Sequence, residues 1–236
     1  MKTKTLDRIL GWLALLATLV VVAMVAGIVL THSSQDYFQK ARPTADFQQY
    51  LAVNPLGAIG LRLNIGLDDA FIVLYATFFT ILAARLRFWL DRWIVAVALG
   101  AMLIAALLDI AENQHSIVML HSLEHGLALN LDGAQAQAVA TNIKFHLTFV
   151  SILLFSFGYA KLGGLGKAIA GLLGLGYLPF GILLLAYPVD GVGAGTLALA
   201  RTAFFVVAFL LSAILFWRQS RLSVDGQPVD PDAGEQ

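Results

Sequence analysis

An uncharged run from Ile9 to Leu30 opens a series of six apolar stretches, and that series limits what the chain can fold into. A helix needs about 20 predominantly apolar residues to span a bilayer. The first run is too long for a secretory leader, whose apolar core is about 7–15 residues, so it reads as a retained span. The others cover about Asp68 to Leu86, Trp93 to Glu112, 142–161, Ala168 to Tyr187 and Leu197 to Trp217. Only 13% of the residues are charged, against roughly 25% in a soluble domain, which makes lipid the solvent for most of the chain. The expected fold class is all-α, a polytopic membrane protein whose six transmembrane helices form one domain over residues 1–218.

The connecting segments carry the polar residues. In the first loop, 31–67, Thr44 can cap a short helix, ADFQQYLAV, which Asn54-Pro55 would end. Phe47, Tyr50 and Leu51 share one side of it, so it is expected to rest on the membrane surface. Segment 113–141 reads as a partly helical loop, with Asp132 capping the stretch that feeds the fourth span. Residues 219–236 are polar and aperiodic, a composition that predicts disorder. In the fifth span Gly171, Gly174, Gly176 and Gly181 read as close-packing positions, and Pro179 as a kink. Lys2, Lys4, Arg8, Arg85, Arg87, Arg92, Lys161, Lys167, Arg218 and Arg221 fall on one side of the spans, and Lys40, Arg42 and Arg62 on the other. That asymmetry places both termini in the cytoplasm and loops 31–67 and 113–141 outside.

Four spans then put charge at one height. Asp68 precedes Arg85, Asp109 follows Arg92, Lys144 precedes Lys161 and Arg201 precedes Arg218, each by 17 residues. At 1.5 Å per helical residue this is about 25 Å, close to the outer edge of a core about 30 Å thick. Ionisable groups in that position need partners. With helix ends drawn at the edges of the apolar runs, Asp109 and Glu112 sit at a C-terminus and Arg201 near an N-terminus. Each then lies against the helix dipole, at about 0.3–1 kcal/mol. The expected pairing sets Asp109 or Glu112 against Lys144, and Asp68 or Asp69 against Arg201. Asp109, Glu112 and Asn113 share a helix face, with Ala105 and Ala101 below them. Gln137, Thr141, Lys144, Thr148 and Ser151 form a polar stripe on the fourth span.

The helix ending Asp109-Ile-Ala-Glu112-Asn113, followed by Lys144-Phe145 at the start of the next span, resembles a pattern in uncharacterised bacterial multi-pass inner-membrane proteins. The resemblance covers about Trp93 to Lys161. It implies a bacterial inner-membrane location and carries no activity with it.

A second motif is His121-Ser-Leu-Glu124-His125. HxxEH is the inverted zinc-protease order, in which two histidines ligate the metal and the glutamate activates water. The third ligand of that family is a later carboxylate, and the only later glutamate here is Glu235 in the tail. Glu112, His115 or His146 would have to substitute. Glu112-x-x-His115 has the form of a di-iron ligand pair, but three glutamates are too few for such a centre. All five histidines lie at or beyond the outer boundary, which disfavours a haem between the spans. The absence of cysteine removes disulfides, thiolate metal sites and cysteine nucleophiles. No bound cofactor or metal is expected, and the alternative ligand set is His115, His121, Glu124 and His125. Zero formal net charge gives nucleic acid no electrostatic footprint. The expected partners are the bilayer and a second copy or another membrane protein. The leading expectation is a non-enzymatic protein whose charges serve helix assembly or solute and proton handling. The alternative is a metal-dependent membrane enzyme, acting on lipid, built on His121, Glu124 and His125.

Overall fold

A computed structural model of the chain describes residues 3–33, 44–186 and 192–222, without the side chains of 186 and 192–198. Among these residues it is helical, with no strand. The order is α1 (Thr3–Thr31), α2 (Thr44–Val53), α3 (Gly57–Leu86), α4 (Arg92–Glu124), α5 (Leu131–Tyr159), α6 (Gly163–Gly171), a π-helical stretch (Leu172–Tyr177), α7 (Leu178–Ala186) and α8 (Val192–Leu222). Six stretches are long and apolar enough to cross a membrane: α1, α3, α4, α5, the segment Gly163–Leu185 and the segment Leu199–Leu222. The protein is therefore a multi-pass membrane protein in contact with lipid. Lys2, Lys40, Arg42 and residues 223–236 of the tail lie outside the described residues. Residues 219–222, read above as tail, belong to α8.

The helices outrun the apolar runs. α3 begins at Gly57, α4 continues to Glu124 and α5 begins at Leu131, so the expected loop 113–141 shrinks to 125–130. Hydropathy marks where a lipid-like composition stops, whereas helical hydrogen bonding continues for as long as one face has something to pack against. Leu61 and Ile65 of α3, and Met119, Leu120 and Leu123 of α4, are buried beyond those edges.

Each helix end has a local cause. Asn130, not Asp132, caps α5: its Oδ1 accepts the N–H groups of Asp132 and Gly133 at 3.1 and 3.3 Å. The residue just before the first turn is the one whose side chain reaches the N2 and N3 amides, and Asp132 is already inside that turn. At the end of α4, Leu127 N–H donates to Ser122 O at 2.9 Å and Gly126 N–H to Leu123 O at 3.1 Å. Those two bonds make a Schellman motif, and it needs the left-handed conformation that Gly126 adopts at φ 70°. Pro179 is the second residue of α7, just past the π-helical stretch, whose closing bond runs from Leu178 N–H to Leu173 O. A proline lacks the N–H that an α-register would require and its ring crowds the carbonyl four residues back. The wider π turn relieves that crowding.

The chain divides into two compact units. One comprises residues 1–18, 74–103 and 147–236. Its core is aromatic: Phe78 lies 5.2 Å from Phe209, and Phe79 lies 5.1 Å from Phe155, centroid to centroid. Between apolar helices in lipid there is no hydrophobic driving force, so close packing and hydrogen bonds hold such a bundle together. Tyr159 O–H donates to Ser212 Oγ at 2.9 Å, Ser212 in turn to Ala208 O, and Ser151 to Ala98 O at 2.7 Å. Side chains at Gly176 and Gly181 would strike the rings of Phe204 and Phe149, whereas Gly171 has open space beside it and Gly174 only an ordinary contact.

The second unit comprises residues 19–73 and 104–146. Phe47 of α2 is fully buried against Leu61, Met119, Leu120, Leu123 and Leu129, with Tyr50 and Leu51 beside it. The apolar side of α2 thus faces protein rather than a membrane surface, because α3 and α4 extend far enough to cover it. Thr44 Oγ1 accepts the N–H of Leu129 at 3.1 Å and ties the 125–130 turn to the start of α2.

Candidate functional site: a carboxylate-rich cluster on three helices

The second unit gathers five ionisable side chains, Asp68, Asp69, Asp109, Glu112 and Lys144, in one place. Asp109, Glu112 and Asn113 project from one face of α4. Gln137, Thr141 and Lys144 recur at four and three residues along α5 and form the opposing stripe. Lys144 Nζ lies 2.7 Å from Asp109 Oδ1 and 2.8 Å from Glu112 Oε2. The side chains of Lys144 and Glu112 are 7% and 6% exposed, and that of Asp109 21%. Thr141 O–H donates to the same Glu112 oxygen at 2.6 Å, and Gln137 Nε2 donates to Thr141 Oγ1 at 3.3 Å. Glu112 therefore has a charged donor and a neutral one on a single oxygen, and Gln137 extends the hydrogen-bonded row along α5.

α3 contributes the other half. The Asn113 amide nitrogen donates to Asp68 Oδ2 at 2.9 Å and to Asp69 Oδ1 at 2.8 Å. Asn113 itself is buried. One nitrogen thus holds two carboxylates within two hydrogen-bond lengths of each other. Four carboxylates, those of Asp68, Asp69, Asp109 and Glu112, are thus drawn together through Asn113 and the Lys144 ammonium.

The structure brings together Asp68, Asp69, Asp109, Glu112, Asn113 and Lys144. Arg201 belongs to the other unit, where its Cδ lies beside Gly181. None of these charges sits at a helix end. Asp68 is well inside α3, Asp109 and Glu112 lie more than two turns before the end of α4, and Arg201 is more than two turns into α8. The field of the helix dipole therefore does not act on them, since it is confined to the first and last turns.

Two ion pairs escaped the reading of the sequence. Arg85 Nε lies 2.9 Å from Asp7 Oδ1 in the first unit, with side chains 5% and 0% exposed. Arg85 is thus a buried partner rather than a solvated anchor, and Gln219 Oε1 lies 3.5 Å from it. The available signal was Asp7 itself, the one acid among the basic residues of the head. In the second unit Arg62 Nη2 lies 2.6 Å from Glu124 Oε2. Glu124, the prospective base of the HxxEH motif, is therefore engaged by an arginine.

His121 and His125 are exposed at the end of α4, with ring centroids 4.2 Å apart. His115 approaches Gly133 of α5, and its Nε2 is buried. Among the described residues, no three His, Asp or Glu side chains converge in a way that could hold a metal ion. No family model matches the chain, nor does any curated protein or solved structure.

Proposed function

We propose that this is a bacterial inner-membrane protein, both termini cytoplasmic, in which the cluster on α3, α4 and α5 takes up and releases a proton or small cation. The observation that carries this reading is the two aspartates on one amide nitrogen. Lys144 already has Asp109 and Glu112 against it. That part of the cluster works as a clasp between α4 and α5. Asp68 and Asp69 add two further like charges in a water-poor setting, and a shared proton or cation relieves their repulsion. Intramembrane carboxylates at such positions mark proton relays and ion pathways. The enzyme alternative draws less support, because the carboxylate it needs as a base is held by Arg62.

The test is flux in proteoliposomes carrying either a pH-sensitive or a sodium-sensitive dye, under an imposed membrane potential and with either proton or sodium gradients. Wild-type protein should pass one of the two ions. Asp68→Asn and Asp69→Asn should each abolish the flux while melting close to wild type in detergent. Wild-type vesicles no leakier than empty ones to either ion would leave the cluster as a clasp alone.

A further inference from the structure

The exposed end of α4 carries chemistry that the cluster does not use. His121 and His125 stand one helical turn apart, with ring centroids 4.2 Å apart and ring planes inclined at 48°. His125 Nδ1 lies 2.8 Å from the carbonyl oxygen of His121. A carbonyl oxygen can only accept, so Nδ1 must be the donor. In the neutral ring this leaves the lone pair on Nε2, at the outer edge of the imidazole. A metal-binding histidine is usually prepared in this way, with one nitrogen fixed by a hydrogen bond to a backbone carbonyl and the other presented to the ion. The Schellman motif at Gly126 ends the helix just after His125 and holds it in register with His121. Two histidines one turn apart on one helix face are a chelating pair for zinc-like ions.

We propose that His121 and His125 form a surface chelate for a divalent transition-metal ion, with water completing the coordination. Imidazole nitrogens select borderline ions over calcium or magnesium, and Cu(II) binds such ligands most tightly in the first-row series. Glu124 takes no part, since its carboxylate faces Arg62. With two protein ligands the site is open and exchangeable, so the metal is lost during purification and does not behave as a resident cofactor. The chelate shares no residue with the carboxylate cluster.

The experiment uses the full chain in detergent, prepared without a polyhistidine tag, stripped with chelator and titrated with Cu(II) near neutral pH. Binding should saturate at one ion per chain, and the paramagnetic resonance spectrum should show coupling to two imidazole nitrogens. His121→Ala and His125→Ala should each weaken binding by an order of magnitude or more, without shifting the melting temperature, because both side chains are exposed. His146→Ala serves as the control. His146 has the same Nδ1-to-carbonyl contact, to Asn142 at 2.7 Å, and its removal should leave binding unchanged. Absence of saturable binding, a spectrum showing a single nitrogen, or affinity unaffected by loss of either histidine would each overturn the proposal. The wild-type spectrum decides the matter even where a variant fails to fold.

Discussion

Removing the ammonium of Lys144 leaves the carboxylates of Asp109 and Glu112 together with little water to solvate them. Breaking a buried ion pair from one side costs about 3–5 kcal/mol, and removing both partners relieves most of that penalty. Lys144→Ala should therefore lower the melting temperature in detergent more than Asp109→Ala does, because loss of Asp109 still leaves Glu112 to hold the lysine. Adding Glu112→Ala to Lys144→Ala should cost less than the sum of the single effects, with a coupling of about 0.5–3 kcal/mol. Additive melting shifts would mean that Lys144 does not depend on α4. The same logic reaches the first unit, where Asp7 is fully buried against Arg85. Arg85→Ala should destabilise strongly, and Asp7→Asn in that background should restore part of the loss.

The helices of the second unit are held at their ends and along their seams. Gly126→Ala forces a Cβ into the left-handed region at the end of α4, which costs about 1–2 kcal/mol. Asn130→Ala removes the α5 cap at about 0.5–2 kcal/mol. Both should raise hydrogen exchange first in the 120–135 region, and a uniform loss across the chain would contradict a local role for the turn. Phe47→Ala should cost about 3–5 kcal/mol, the penalty of an emptied core site. A helix lying on lipid would show almost none of it. These elements also mark what the sequence could reveal. The six spans were legible because bilayer thickness imposes a minimum apolar length. The stop of the short α2 was legible because Asn54-Pro55 follows it, whereas Thr44, expected as its cap, is the first residue of the helix and takes the N–H of Leu129 instead. What α2 packs against was not, since Phe47 suits lipid and a protein core equally well. The convergence of α4 and α5 could be read from the stripes Asp109–Glu112–Asn113 and Gln137–Thr141–Lys144, whose periodicity is independent of where the helices end. Helix ends were misjudged because apolar composition stops at Glu112 while the hydrogen-bonded helix runs on to Glu124. The Asp7–Arg85 pair was hidden because Arg85 has the look of an interfacial cation, and only the tertiary fold reveals its partner.

For the whole molecule, the Lys and Arg distribution makes a claim that reporter fusions can check. Fusions at positions 5, 90, 164 and 230 should report cytoplasm, and those at 45, 130 and 192 the opposite side. An external signal at position 90 would reject the six-span arrangement. The tight turn between α4 and α5 also bears on how the chain is made. Lys144 and Glu112 are 32 residues apart, so the ribosome completes the pair soon after the first partner appears. A lone charge at the centre of an inserting helix costs about 2.5–3.5 kcal/mol at the translocon. A helical hairpin that enters with its charges already matched escapes much of that barrier. Glycosylation mapping of truncated nascent chains should show α4 held back when translation stops before Lys144. It should enter efficiently once α5 has emerged, so that biogenesis of this segment proceeds by hairpins rather than by single helices.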